Sequence, residues 1–96
     1  MMYLIMASSQ EDYEAEEIWP VALYHDEHTA NSLCAQYNEI LRNMYNIFEF
    51  NKDRKEYDSL FQQLVTFDPK WKDREDEPSL SMYTCRFWIE EVEVRG

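Results

Sequence analysis

Ninety-six residues with twenty acidic and nine basic side chains carry a formal charge of −11, which opposes attraction to phosphate backbones and anionic membranes and argues against direct nucleic-acid binding. A hydrophobic content of 45%, with 16% aromatic residues, supplies apolar area to offset ordering entropy, so residues 1–96 read as one folded domain rather than a disordered acidic tail. The single glycine is Gly96, which excludes phosphate-cradling loops, nucleophile elbows and dinucleotide turns, all of which need glycine where backbone must approach closely.

Residues 2–7, MYLIMA, form a nearly continuous apolar run, the pattern of a strand buried on both sides in the middle of a sheet. Residues 8–17, SSQEDYEAEE, set five carboxylates around one tyrosine and read as a solvated hairpin loop. Residues 18–24, IWPVALY, make the second strand, and Pro20, which has no N–H for a central ladder, confines it to an edge or a bulge. Asp26 then caps a long helix over residues 26–48, whose apolar stripe is Ala30, Leu33, Cys34, Tyr37, Leu41, Met44, Tyr45 and Phe48. Glu27 sits favourably in its first turn against the helix dipole.

A polar break follows near Phe50, with Asn51 or Asp53 available as the next cap. Tyr57, Leu60, Phe61, Leu64 and Val65 give a second stripe that Pro69 ends, so a helical hairpin is expected, a single bent helix being the alternative. Residues 68–81 mix charges with two prolines and one tryptophan and read as a long loop. Residues 82–94 alternate as a third strand with Tyr83, Cys85, Phe87 and Ile89 on one face. The parity slip at Val92 and Val94 predicts a β-bulge at Glu90 and Glu91. The fold class is therefore α+β: a three-stranded, largely antiparallel sheet in the order β-β-α-α-β along the chain. The first strand lies between the other two, and the helical hairpin covers one face.

Little in this pattern points to catalysis. His25, Asp26, Glu27 and His28 pair two imidazoles with carboxylates at a solvated helix start, but no third ligand is fixed nearby, so capping is the reading and neither metal nor cofactor is expected. General acid and base work needs a buried carboxylate pair with separated pKa values, and the acids here lie in loops or alternate outward on a strand end. Cys34 and Cys85 sit among apolar residues as buried free thiols, which fits a reducing compartment. No enzyme is expected. The apolar runs are far shorter than a membrane span and no signal core is present, so the reading is a soluble, cytosolic protein.

The words YLIMAS, ALYHDEHTA, the Asp68–Pro69 pair and the closing FWIEEVEV together resemble a group of small phage-encoded proteins that pair a YLV-type first strand with a terminal valine-and-glutamate strand. That resemblance assigns no chemistry. It implies a setting, the cytoplasm of an infected bacterium, where small acidic proteins bind and block host machinery.

The acidic distribution is the feature with functional reach. Glu11, Asp12, Glu14, Glu16 and Glu17, then Asp73, Glu75, Asp76 and Glu77, then Glu90 and Glu91 with Glu93, are candidates for a surface that resembles a phosphate array, with Tyr13, Trp19, Trp71 and Trp88 as aromatic anchors. Trp71, between two lysines in a loop, is expected to lie partly outside the core, and Trp88, opposite in parity to Phe87 and Ile89, either to cover the second face of the sheet or to lie in a contact. The function expected is an inhibitor or modulator of a host nucleic-acid-handling or defence complex, in the manner of a DNA mimic or an anti-CRISPR protein. Its partner is a host protein with a basic cleft. The alternative is a homodimeric accessory protein, joined through the uncovered sheet face, whose charge only maintains solubility.

Overall fold

The computed structural model describes residues 1–9, 17–47, 54–74 and 85–93. Strand β1, Met2–Ser9, lies between β2, Glu17–Tyr24, and β3, Arg86–Val92, in one antiparallel sheet of order β2-β1-β3. Helices α1, Glu27–Asn46, and α2, Arg54–Phe67, come between β2 and β3, and a short 3-10 helix, Pro69–Arg74, follows α2. The β-β-α-α-β order and the α+β class are those the residue pattern implies. There are two helices, not one bent one, and the candidate caps Asn51 and Asp53 lie outside the described residues.

Asp26 starts α1 from an extended backbone, φ −103° and ψ 118°, with its carboxylate accepting from the N–H groups of His28 and Thr29 at 3.2 Å and from Thr29 Oγ1 at 2.6 Å. The Thr29 hydroxyl is the main reason its pKa falls below 3.8. From this cap, Ala30, Cys34, Leu41 and Met44 turn inward as the stripe requires, joined by Ile40, which the stripe omits. They meet Ile5 and Ala7 of β1 and Phe87 of β3 in one core cluster, to which α2 adds Tyr57, Phe61 and Leu64.

β1 is central, and between Leu4 and Ala7 it is fully buried on one face only: Ile5 and Ala7 are at 0% exposure while Leu4 and Met6 stay partly open, whereas Ser8, on the outer face, is fully covered. It also runs two residues beyond the expected end. Ser8 and Ser9, assigned by composition to a solvated loop, are buried at 0% and 1%, with Cys85 Sγ 3.5 Å from Ser9 Oγ. Short hydroxyls pack in a strand where acidic neighbours in sequence suggested water.

Both outer strands have modified edges. In β2 the register slips between Ile5↔Ala22 and Met6↔Pro20, so Val21 is the extra residue of a bulge beside the proline. Pro20 is thus at an edge strand and next to a bulge. The bulge expected at Glu90 and Glu91 does not form: β3 pairs with β1 without interruption from Met2↔Val92 to Ser8↔Arg86, and Val92 simply falls on the outer face.

The β3 edge is closed from the side. Asn38 of α1 accepts from the Phe87 N–H at 2.7 Å through Oδ1 and donates to the Phe87 carbonyl at 3.0 Å through Nδ2. Its side-chain amide therefore takes the two bonds that a neighbouring strand would otherwise make at this residue.

Candidate functional site

Strand alternation sorts the sheet into two faces, and cross-strand partners share one. The inner face carries Ile5, Ala7, Trp19, Phe87 and Ile89 toward α1. The outer face carries Leu4 and Met6 in the middle, Leu23 and Ile18 on β2, and Trp88, Glu90, Arg86 and Val92 on β3. Ile18 is 52% exposed and Leu23 49%, so this face meets solvent with large apolar side chains.

Trp88 occupies the middle of β3 on that face, directly opposite Met6. Its indole Nε1 donates to Glu90 Oε1 at 3.3 Å, and the Arg86 guanidinium lies 4.9 Å from the ring centroid. All three are spaced by two along one strand, so the pleat itself lines them up. The ring is held at its Nε1 by Glu90 and over its face by Arg86, which lowers the rotamer entropy a contact through it would lose.

The other sequence-predicted residues fall in several places. Glu90 is exposed beside Trp88; Glu91, one residue on, is exposed on the opposite side of the strand. Glu17 opens β2 and pairs with Lys70 Nζ at 2.8 Å. Asp73 lies in the 3-10 helix. Glu11, Asp12, Tyr13, Glu14, Glu16, Glu75, Asp76 and Glu77 lie outside the described residues. Trp71 corrects the expectation: its exposure is 0%, and it offers no surface to a partner; Trp19, also expected as an anchor, is 6% exposed and belongs to the core. The 3-10 turn points it inward, where it meets Trp19 edge-on at 5.2 Å and Phe87 at 5.9 Å.

Trp71 belongs to a second constellation, one that sequence reasoning missed. Asp68, 4% exposed, accepts from the Trp19 indole N–H at 2.8 Å, across 49 positions of chain, and its other oxygen accepts from the Lys70 N–H at 3.3 Å. Lys70 Nζ in turn sits 5.7 Å above the Trp19 ring. The Trp71 Nε1–H makes no hydrogen bond, though it lies near enough to the carboxyl to favour its ionised form. Burial outweighs these favourable contacts and pushes the Asp68 pKa above 3.8. The aspartate before a proline at the end of an apolar stripe was the available signal, since such a side chain commonly accepts the N–H two residues on.

This carboxyl fastens the end of α2 to the edge strand, and the sign of its pH effect follows from its raised pKa. The folded chain holds the proton more tightly than the unfolded one, so the stability gained by protonation is complete below pH 3.8 and is lost as the pH rises through the folded value. Asp68→Asn keeps a carbonyl acceptor for Trp19 and removes the ionisation. Calorimetry across mildly acidic to neutral pH is expected to show the variant gaining on the wild type as pH rises; parallel stability curves would assign the pH dependence to other groups.

Among the described residues, no group of three or more His, Cys, Asp or Glu is placed to hold a metal ion, and no helix is long and apolar enough to cross a membrane. An open groove of about 480 Å³ on α2 is lined by Tyr37, Ser59, Gln62, Gln63 and Thr66, a neutral hydroxyl and amide surface without a carboxylate or imidazole. Comparison with known proteins returns no match: no family model, no curated protein and no solved structure.

Proposed function

We propose that the chain is an acidic protein-binding module that inhibits or modulates a nucleic-acid-handling or defence complex of a phage-infected bacterium by occupying a basic cleft of its partner. The observation that carries this reading is the outer sheet face, where exposed Ile18 and Leu23 and half-buried Leu4, Met6 and Trp88 lie beside exposed Glu90 in a chain of net charge −11. Apolar anchors supply contact area, and a strong negative field selects positively charged partners and speeds their encounter. No part of the reading requires a reaction at the protein's own residues.

The test is capture of partners by the tagged protein from nuclease-treated bacterial lysate, followed by challenge with salt and with duplex DNA. The expected partner handles nucleic acid, leaves the protein at moderate salt and is displaced by the duplex, because both ligands compete for one basic surface. Glu90→Lys, which reverses a charge on that face, is expected to weaken the complex about 10-fold. Binding indifferent to salt, to DNA and to the charge reversal would overturn the proposal.

A further inference from the structure

We infer that the edge of β3 beyond Phe87 receives a basic extended segment of the partner, which joins the sheet as a fourth strand beside Ile89 and Glu91. This rests on the protein-binding reading above and names the form in which the partner is held.

The direction of the backbone bonds locates the edge. β3 pairs with β1 without interruption, and among the described residues no strand lies on its other side. Phe87 turns its N–H and C=O away from β1, toward the Asn38 side chain. In an antiparallel ladder such outward groups recur at every second residue, so those of Ile89 and Glu91 point the same way. Asn38 has one amide and answers one residue, which closes the edge at Phe87 and sets the end of the stretch that remains. A row of outward N–H and C=O groups is a template for another strand, whereas a helix, whose backbone groups are bonded to one another, makes no use of it. On β2 the bulge at Val21 and the missing N–H of Pro20 interrupt the equivalent row.

Charge decides between a basic strand and a second copy of this chain. From Trp88 to Glu93 the sequence WIEEVE carries three carboxylates and no cation, and Glu90, Glu91 and Glu93 are all exposed. Arg86 lies beyond the position that Asn38 closes. Two β3 edges brought together would be confined to this stretch and would set its carboxylates against one another, and like charges on opposed strands are destabilising. Lysine or arginine side chains on an added strand meet them instead. Because Glu90 differs in parity from Glu91 and Glu93, the basic residues belong on both faces of the incoming strand.

The experiment uses an eight-residue peptide of valine, threonine and lysine and its backbone N-methylated analogue, which keeps the charge and side chains but cannot donate to a ladder. Isothermal calorimetry with the full chain is expected to show the parent peptide binding at least about 10-fold more tightly. In the same complex, amide exchange of Ile89 and Glu91 is expected to slow at least about 10-fold, while that of Phe87, already bonded to Asn38, is unchanged. Glu91→Pro and Glu91→Gln both remove the charge, but only the first removes the N–H, so the proline variant is expected to bind about 10-fold more weakly than the glutamine one with circular dichroism unchanged. Equal binding of the two peptides, or binding without slower exchange at Ile89 and Glu91, would overturn the inference and leave the charge-based reading standing. Binding of neither peptide would overturn it too, the capture from lysate then deciding the broader reading by itself. Exchange at Ile89 and Glu91 that slows with protein concentration alone would replace the partner strand by a second copy.

Discussion

Trp71→Ala is expected to lower the unfolding free energy by about 3–5 kcal/mol, the range for deleting a fully buried tryptophan. The indole sits at 0% exposure between Trp19 and Phe87, so its removal opens a void where β2, β3 and the 3-10 helix meet. Phe67 continues the contact from Phe87 at 5.7 Å and stacks on Tyr37 at 3.9 Å, which makes a run of aromatic rings from the edge strand to α1. Trp71→Phe is the informative control. It retains most of the packing and discards a buried N–H that makes no hydrogen bond, so its cost is expected to stay under about 1.5 kcal/mol. Urea unfolding of both variants measures this, and an alanine loss no larger than the phenylalanine one would mean that the 3-10 segment contributes little to the core.

Asn38→Ala is expected to cost about 2–3 kcal/mol, because it strands a donor and an acceptor at the same residue, each worth about 1–3 kcal/mol when left unsatisfied near the interior. Water reaching the edge sets the lower end of that range. The distinguishing readout is local: amide exchange at Phe87 should accelerate beyond what the loss of global stability explains, since its N–H bonds to the Asn38 side chain. Acceleration shared evenly over β1, β2 and β3 would instead mark a general weakening.

The sequence pattern revealed whatever repeats with a period. The stripes on α1 and α2, the capping Asp26, the central place of β1 and the edge place of β2 all follow from apolar spacing and from the missing N–H of Pro20, and the structure bears them out. What was illegible depends on single side chains reaching across the fold. Trp71, flanked by lysines, shows no periodicity because one buried residue in a short turn leaves none. Asn38 looks like an ordinary polar position on a helix until the strand beside it is known. Trp19 and Asp68 are 49 positions apart, and nothing local announces their bond. The parity slip at Val92 suggested a bulge because it was assumed that valine must face the core; the outer face accepts it instead. For the site, alternation alone put Trp88 on the second face of the sheet, whereas Arg86 and Glu90 as its supports emerge only with coordinates.

The placement of the tryptophans also gives the protein a built-in optical division. Trp19 and Trp71, with ring centroids 5.2 Å apart and planes inclined at 67°, are close enough for their electronic transitions to couple. Both are buried beside the Asp68 carboxyl, so their ultraviolet circular dichroism reports on the interior alone. Trp88 stands half-buried on the opposite face, where a neutral quencher such as acrylamide reaches it and iodide is held back by the chain's own negative field. Interior order and surface occupancy can therefore be followed separately, by dichroism and by quenching, in the unlabelled protein.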